Sequence, residues 1–386
     1  MTLVLGNEDV LKVLTMRDTI EALELLYADL GRGSAVYRGR TDLFTPTTGG
    51  PPDIPTAYQL KTLDGAIPRW NVGAIRVTSD VVAFPLVGGA RRRTKIPAAA
   101  GKRYVGLVLL LDSATGELAA ILQDGVLQQY SVGAINAIGA KYLAREDSRT
   151  VALFGAGGQA GPQLRGLCKV RRISRVQVYT PTPEEAEAFA HANAQPLGIE
   201  IVPAGSPQAA LAGADIVVTA TNSRVPFFPA AWLAPGMHLS ALQRDEAMPD
   251  CFRELDRVVF HTRAKEVEHV STDFAALEQR FGFIMRDHPP SDLDWNAFPD
   301  LGDLVGGRVA GRSHPQQRTF FLNSTGCGAQ YAAVGQLILK EARRHGLATS
   351  CRGNGSPKAL PRDTVDHGLT ARQTVVKTFT ALERNC

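Results

Sequence analysis

The middle of the chain alternates between short apolar runs and segments with helical periodicity. Apolar runs stand at 150–154, 176–179, 215–219, 237–242 and 257–260, and helical segments follow the first two of them. Runs of this length are typical of strands buried on both faces, and their alternation with helices indicates a doubly wound parallel sheet. We therefore predict an α/β fold with a Rossmann-type domain in this part of the chain.

The first third of the chain follows a different pattern. Asp18 stands three residues after Thr15, the spacing of a capping box, and apolar residues then recur with a helical period. Beyond residue 40, β-type runs alternate with Pro and Gly, and the apolar runs at 105–111 and 118–122 flank a turn, which predicts a hairpin. A helix rich in small residues is expected from about Val132 to Ala144.

A strand at 319–322 and an alanine-rich helix ending near residue 345 follow the alternating region. We expect both to rejoin the N-terminal half, so that residues 1–138 and 318–347 form one discontinuous α+β domain around a Rossmann domain at 139–317. Residues 348–386 are aperiodic and rich in Gly, Ser, Pro and Arg, and they are predicted to be a mobile tail.

Composition narrows the classes of function. The 386 residues carry a net charge of +4 and are 44% hydrophobic, with acidic and basic residues intermixed. This charge is too small and dispersed to indicate nucleic-acid binding, and no apolar run approaches the length of a membrane span. The five cysteines lack metal-ligand or disulfide spacing, so no metal site is expected. The N-terminus has no signal-peptide pattern, and a soluble, cytoplasmic protein is predicted.

A glycine-rich loop follows the first apolar run of the alternating region. Its first Gly suits a tight turn, its second lets a pyrophosphate approach the backbone, and its final Ala allows close helix–strand packing. The helix that follows would direct the positive end of its dipole at the phosphates. We therefore predict that the loop binds a dinucleotide through Gly155, Ala156, Gly157, Gly158, Gln159 and Ala160.

The end of the second strand bears on the choice of cofactor. An NAD site usually places Asp or Glu there, whereas this chain has Tyr179-Thr180-Pro181-Thr182-Pro183 and no carboxylate before Glu184. Two hydroxyls and no acid favour NADP(H), with Thr180 and Thr182 as cofactor contacts, and NAD(H) stays possible. No Arg stands in this turn, and Arg175 could contribute to NADP(H) binding only if the fold placed it near the turn. Alternatively, the threonines only cap the next helix.

Several further stretches resemble the ornithine cyclodeaminase/mu-crystallin family over most of residues 10–345. They include Val108-Leu109-Leu110-Leu111-Asp112, Ala140-Lys141-Tyr142-Leu143-Ala144, the phosphate loop with its Gln159, Thr219-Ala220-Thr221 and Ser324-Thr325-Gly326. The resemblance implies a homodimer in which the discontinuous domain serves dimerisation and substrate binding. It also implies Thr221 and Ser324 as cofactor contacts, and hydride transfer between a nicotinamide and the α-carbon of an amino acid or its imine.

The site residues of the family correspond to positions in this chain, and at two of these positions the residue type differs. Its carboxylate-binding Arg corresponds to Arg40, and its Asp after the fourth Rossmann strand to Asp245, with Glu246 as the alternative. The family's active-site Lys falls on Arg76, which can hold a carboxylate but is a poor acid or base because it is always charged. A second family Arg falls on Ser131, which removes a positive charge from the substrate-binding set. The resemblance therefore implies Asp245 and Arg76 as catalytic, and Arg40, Arg76 and Ser131 as substrate-binding.

Three functions are compatible with these residues. The leading one is an NAD(P)H-dependent imine reductase or amino-acid dehydrogenase, because the cofactor turn favours NADP(H) and the two departures weaken the ornithine case. The alternatives are an ammonia-releasing ornithine cyclodeaminase with bound NAD, and a non-catalytic NADP(H) or small-molecule binding protein of the mu-crystallin type. The basic loop at 84–101 could line the substrate pocket or the dimer interface.

Overall fold

Two sheets organise the molecule. The computed structural model describes residues 2–51, 53–87, 90–100, 104–223, 225–263, 268–271, 293–324, 326–347 and 349–351. Both sheets belong to a compact unit that extends to Ser350. Within the described residues, no helix is long and apolar enough to cross a membrane.

The strands of the first sheet come largely from the N-terminal half, whereas those of the second come from residues 150–322. The strands, in chain order, are β1 (Thr2–Leu5), β2 (Val36–Tyr37), β3 (Thr41–Pro46), β4 (Thr56–Ile67), β5 (Val72–Ala83), β6 (Leu86–Val87), β7 (Ala90–Arg91), β8 (Thr94–Ile96), β9 (Val105–Asp112), β10 (Leu118–Gln123), β11 (Thr150–Phe154), β12 (Arg175–Tyr179), β13 (Glu200–Pro203), β14 (Ile216–Thr219), β15 (His238–Ala241), β16 (Arg257–Phe260), β17 (Glu268–Ser271), β18 (Thr319–Leu322) and β19 (Thr349–Cys351).

Helices cover both faces of the second sheet and the inner face of the first. The helices, in chain order, are α1 (Asn7–Val13), α2 (Met16–Gly31), α3 (Asp124–Leu143), α4 (Ala160–Val170), α5 (Pro183–Leu197), α6 (Pro207–Leu211), α7 (Pro249–Glu254), α8 (Leu301–Val305) and α9 (Gly328–Arg344).

The second sheet is parallel throughout, in the order β13-β12-β11-β14-β15-β18-β16. Its first five positions follow the arrangement of a Rossmann fold, in which the order reverses beside the first strand. The strands in the middle of the sheet, β11, β14, β15 and β18, are almost entirely buried, because helices lie on both sides of the sheet. The predicted α/β fold with a Rossmann-type sheet is therefore confirmed.

The first sheet is mainly antiparallel and runs in the order β17-β3-β4-β5-β9-β10-β1, with β2 beside β4 and β8 beside β5. The predicted hairpin is confirmed, since β9 and β10 pair antiparallel. The long strands β4 and β5 pair from Thr56↔Ala83 to Ile67↔Val72. One face of this sheet packs on α3 and α9, and α2 packs on these two helices. Leu23, Leu110 and Ile338 of this core are fully buried.

Helix α3 connects the two sheets. It begins at Asp124, several residues before the predicted start at Val132, and it packs closely on α4. A Cβ at Gly133 would lie 2.3 Å from the carbonyl oxygen of Pro162, and a Cβ at Gly166 would lie 2.3 Å from that of Gly133. The small residues of this helix are therefore required by backbone-to-backbone contact.

The strand at 319–322 does not join the first sheet, in contrast to the expectation from sequence. It pairs in parallel between β15 and β16, and all four of its residues are buried. The apolar run is suited to a central position that is covered on both faces. The helix that follows it, α9, does pack on the first sheet. The division of the chain into domains by residue range stays a prediction.

Two other expectations from the sequence concern segments that the structure describes only in part. The predicted mobile tail at 348–386 lies outside the described residues except for β19. The basic loop at 84–101 is described apart from residues 88, 89 and 101, and it contains β6, β7 and β8. Strand β8 extends the first sheet beside β5.

Candidate cofactor and substrate site

A cavity of about 910 Å³ lies between the two sheets. On one side it is bounded by residues at the carboxyl ends of β11, β12, β14 and β15, where ligands bind in open parallel sheets. On the other side it is bounded by polar residues of the first sheet and α9. These polar residues include Arg40, Lys61, Arg76, Gln330 and Tyr331.

The predicted phosphate loop forms part of the cavity wall. Gly155 has a φ of 99°, and a Cβ there would lie 2.6 Å from the carbonyl oxygen of Ala220, so only glycine fits this turn. At Gly157 and Gly158 a Cβ would meet no atom within 4 Å, so no protein atom fills the space next to their backbone. Helix α4 begins at Ala160, the last residue of the loop. The loop therefore fits the pyrophosphate of a dinucleotide.

Gln159 ties the phosphate loop to the helix that connects the sheets. Its Nε2 donates to Oε1 of Gln128 on α3 over 2.8 Å, and both residues line the cavity. The Oε1 atom of Gln159 is buried and has no hydrogen-bond partner among the described residues. It is thus an acceptor available to a group bound in the cavity.

At the end of β12, the fold brings a carboxylate back to the turn. The Thr180 hydroxyl donates to Oε2 of Glu185, in the first turn of α5, over 3.1 Å, and both residues line the cavity. Thr182 is exposed and stands at the N-cap of α5 without a side-chain hydrogen bond to the helix, and it does not line the cavity. Arg175 lies at the opposite end of β12 and pairs with Glu200 over 2.8 Å.

Arg76 is held by an aspartate. Its Nε and Nη2 donate to Oδ2 of Asp124, at the start of α3, over 2.9 Å and 2.7 Å. Its guanidinium lies 4.9 Å from the centre of the Tyr331 ring, a cation–π distance. Both charged side chains are 14% exposed. The positive charge of Arg76 in the cavity wall is therefore largely balanced by Asp124.

Arg40 is similarly engaged. Its Nε and Nη2 donate to the two carboxylate oxygens of Asp42 over 2.9 Å and 3.1 Å, a bidentate pair. The Asp42 carboxylate also accepts from Nε2 of Gln59 over 2.9 Å, and Gln59 in turn accepts from Arg93. Arg40 thus lines the cavity as part of a fixed polar network.

Lys61 is a cavity residue that the sequence analysis missed. It lies on β4 directly opposite Thr78 of β5, while Leu63 is opposite Arg76, so that Lys61 and Arg76 are near neighbours across the strand pair. Burial, with the neighbouring guanidinium of Arg93, lowers the pKa of Lys61 well below its usual value, although the Asp42 carboxylate opposes this shift. A lysine with a lowered pKa releases its proton more readily than an ordinary lysine.

Glu246 is a buried structural carboxylate. One of its oxygens accepts from the backbone N–H and the hydroxyl of Thr221, over 2.6 Å and 2.7 Å, and the other accepts from Thr219 and from the backbone N–H of Gln243. Burial raises its pKa despite these hydrogen bonds. Glu246 therefore fixes the loops after β14 and β15 and is not open to a substrate.

The structure brings together only part of the predicted substrate set. Asp245 lies partly buried in a 3₁₀ turn at Arg244–Glu246, and it is not among the residues that line the cavity. Ser131 is fully buried, and its hydroxyl donates to the carbonyl of Leu127 over 2.8 Å. Ser324 is partly buried and is not in the cavity lining. Arg40 and Arg76 do line the cavity, as do Thr180, Thr221 and residues 155–159.

His261 is a further cavity residue absent from the sequence-based set. Its Nε2 contacts the hydroxyl of Tyr27, and burial lowers its pKa to about 3. The imidazole is therefore neutral at physiological pH. Its position directly after the apolar run of β16 was the available sequence signal, since parallel strands bring their carboxyl ends to the site.

Comparison with known proteins gives a consistent set of matches. A model of the ornithine cyclodeaminase/mu-crystallin family matches residues 74–345. An uncharacterized cyclodeaminase of Sinorhizobium fredii is 30% identical over 311 residues, which are 78% of this chain and 83% of that protein. A Delta(1)-pyrroline-2-carboxylate reductase of Bacillus cereus is 29% identical over 250 residues, 64% of this chain and 74% of that protein.

A solved structure extends the similarity to the fold. The Delta(1)-pyrroline-2-carboxylate reductase of Thermococcus litoralis, in complex with NADH and L-proline, aligns with a TM-score of 0.71 at 25% identity. The alignment covers 90% of this chain and 100% of that one.

Proposed function

Because the chain belongs to the ornithine cyclodeaminase/mu-crystallin family, we propose that it is an NAD(P)H-dependent imine reductase that acts on α-imino acids. The observation that carries the proposal is the shared cavity, in which the phosphate loop faces the cationic groups of the first sheet. When bound, the nicotinamide cofactor supplies the hydride. The protein then has to hold a carboxylate and provide a proton to the imine nitrogen.

The relatives support an imine as the substrate. Two of the proteins described above are named for the reduction of a cyclic imino acid, and the solved one holds NADH together with L-proline. An α-imino acid carries both a carboxylate and a C=N bond, and arginine side chains of the cavity suit the former. Sequence alone favours NADP(H), the solved relative contains NADH, and the proposal covers both cofactors.

In this proposal the two arginines hold the substrate and Lys61 supplies the proton. Asp42 and Asp124 fix Arg40 and Arg76 in place, so that the two guanidinium groups are oriented before a substrate carboxylate arrives. Reduction of C=N to CH–NH needs one proton at nitrogen for each hydride at carbon. Arginine does not release a proton and His261 is neutral, whereas the pKa of Lys61 is shifted toward neutral pH.

The proton role expected for Asp245 is less well supported, because Asp245 does not line the cavity. A substrate-binding role for Ser131 is also less well supported, because its hydroxyl is buried and bonded to its own helix. Both stay predictions that substitution can test. Lys61 is the better candidate on position and on the direction of its pKa.

The test is a turnover assay with the full-length chain. The protein is incubated with NADH or NADPH and Δ1-pyrroline-2-carboxylate, and oxidation of the cofactor is followed together with formation of proline. We expect one cofactor oxidised for each proline formed. Absence of cofactor oxidation across a panel of cyclic and linear α-imino acids, with the cofactor bound, would contradict the proposal and favour a binding protein.

A cyclodeaminase is the second candidate, because a relative named as one is 30% identical over most of its length. Such an enzyme would convert ornithine to a cyclic amino acid and ammonia with no net change in the cofactor. Cofactor stoichiometry therefore separates the two activities. Ammonia release without net cofactor reduction would replace the reductase proposal.

We further propose a homodimer that buries the outer face of the first sheet. Strand β9 turns Val108 and Leu110 into the core, but on its other face Val105 and Leu107 are 42% and 38% exposed. Soluble antiparallel sheets normally present polar residues to solvent. An apolar outer face supports contact with a second copy, in which the same surface meets itself about a two-fold axis.

A further inference from the structure

We propose that Glu185 selects NAD(H) over NADP(H) by occupying the position where the 2′-phosphate would bind. The inference rests on the proposed function only in that the cavity binds a nicotinamide dinucleotide. It reverses the preference expected from the sequence. It concerns a residue in a helix, at a distance along the chain from the strand end where such a carboxylate is usually found.

The position of Thr180 relates this carboxylate to the phosphate loop. Strands β11 and β12 pair in parallel with Phe154 opposite Tyr179, and the backbone N–H of Gly155 donates to the carbonyl of Tyr179 over 2.9 Å. Thr180 therefore lies beside the first residue of the loop that would hold the pyrophosphate. In a Rossmann fold this is where the adenosine ribose presents its 2′-substituent.

Glu185 reaches this position from the first turn of α5. The Thr180 hydroxyl donates to its Oε2 over 3.1 Å and also accepts from the backbone N–H of Thr182 over 3.3 Å. These contacts orient the carboxylate toward the cavity, whose lining includes Glu185. A carboxylate there can accept a hydrogen bond from a ribose 2′-hydroxyl, and it repels a 2′-phosphate.

The described charges near this turn give a 2′-phosphate little compensation. The first turn of α5 carries two acidic residues, Glu184 and Glu185, which oppose the positive end of the helix dipole. Arg175 is at the far end of β12 and pairs with Glu200. Arg92, a cavity arginine that reaches the second sheet, bonds to Asn222 in the loop after β14 instead.

The expected discrimination follows from the charges. Two unit charges about 4 Å apart in water-like surroundings change an equilibrium by roughly fivefold, and a phosphate monoester carries nearly two charges. We therefore expect NADH to bind at least about tenfold more tightly than NADPH. Because the site is exposed to solvent, added salt should reduce this ratio by weakening the repulsion.

The experiment measures binding of NADH and NADPH to the full chain without substrate, by quenching of tryptophan fluorescence, since Trp232 lines the cavity. In Glu185→Gln we expect the Kd for NADPH to fall so that the NADPH-to-NADH ratio approaches one. Glu184→Gln is the matched control: it removes an equal charge from the same helical turn, at a residue that does not line the cavity, and we expect a smaller change.

Tighter binding of NADPH than of NADH by the unaltered chain would overturn the inference, and loss of that preference in Arg92→Ala would assign the phosphate to Arg92. An unchanged ratio in Glu185→Gln, or an equal change in Glu184→Gln, would also overturn it. The readout does not depend on imine turnover, so a protein that binds NADH selectively but reduces no imine would contradict only the proposed function. A protein that binds neither nucleotide would contradict both.

Discussion

Replacement of Lys61 by Met tests the proposed source of the proton. Methionine has a similar length and no charge, so the cavity wall stays filled while the ammonium is lost. Because Arg40 and Arg76 are held by Asp42 and Asp124, the substrate carboxylate would still be bound. We therefore expect kcat to fall much more than KM rises.

The size of the effect follows from the role of the residue. General acid catalysis contributes about 10²–10⁴-fold to a rate, which corresponds to about 3–5 kcal/mol of the activation barrier. The pH profile adds a second signature. Burial and Arg93 lower the pKa of Lys61, so turnover of the unaltered enzyme should decline with rising pH well before the usual lysine pKa of about 10.4. In Lys61→Met that decline should be absent.

Although Lys61→Met should lower activity, it should raise the stability of the folded protein. Between its lowered pKa in the fold and its usual pKa in the unfolded chain, Lys61 binds fewer protons when folded, so stability rises with pH in that window. Below the window the buried ammonium opposes folding. Lys61→Met should therefore melt at a higher temperature than the unaltered protein at neutral pH, and it should lack the contribution of Lys61 to this rise.

Steady-state reduction of an imino acid across pH and thermal unfolding are the two measurements, and Lys61→Arg is the matched variant. Arginine keeps the positive charge but does not release a proton, so this variant should bind substrate and remain slow. The reasoning is refuted if Lys61→Met keeps its kcat within about twofold. Full activity of Lys61→Arg would show that only the charge matters and would remove the proton role.

Three further predictions concern the loop, the proposed dimer and the buried carboxylate. Gly155→Ala strains a left-handed turn and brings its methyl group against a backbone carbonyl, so it should abolish cofactor binding in a titration. The control is Gly198→Ala, at a left-handed position with open space, which should only lower the free energy of unfolding by about 1 kcal/mol. Leu107→Lys should convert the dimer into a monomer in size-exclusion chromatography with light scattering, whereas Val36→Lys, also at an exposed apolar residue, should not. Glu246→Ala leaves several donors without an acceptor and should lower the free energy of unfolding by about 3 kcal/mol or more in denaturant titration.

The features that sequence predicted best are those determined by neighbouring residues. The phosphate loop, its strand and its helix lie within about twenty residues, and the required glycine turn leaves a local pattern. The hairpin of β9 and β10 was equally predictable from the sequence, because its strands are joined by a short turn. The position of the strand at 319–322 was not, because nothing in a buried apolar run specifies which parallel strands it will lie between.

The site residues that sequence missed depend on contacts across strands or turns. Lys61 enters the cavity through the register of β4 with β5, and a shift of one residue would have turned it to the other face. Glu185 lies inside a helix, and its proposed role depends on a side chain that reaches back to Thr180. Ser131 and Asp245 were placed by similarity alone, and the fold puts neither in the cavity lining.

The charges of the cavity explain how the family's chemistry can persist after its lysine position is occupied by arginine. An arginine at position 76 without a partner would add a permanent charge, but Asp124 balances it, so Arg76 acts as a fixed donor. In the proposal a proton must then come from another group, and the strand beside β5 offers Lys61, which lies opposite Thr78 and so diagonally across from Arg76. Burial, followed by the guanidinium groups of Arg93 and Arg40, disfavours the ammonium of Lys61, while Asp42 favours it, and the net effect is a lowered pKa. In the proposed mechanism the substrate half of the site therefore separates two functions: arginines held in ion pairs bind the substrate, and a lysine with a lowered pKa transfers the proton.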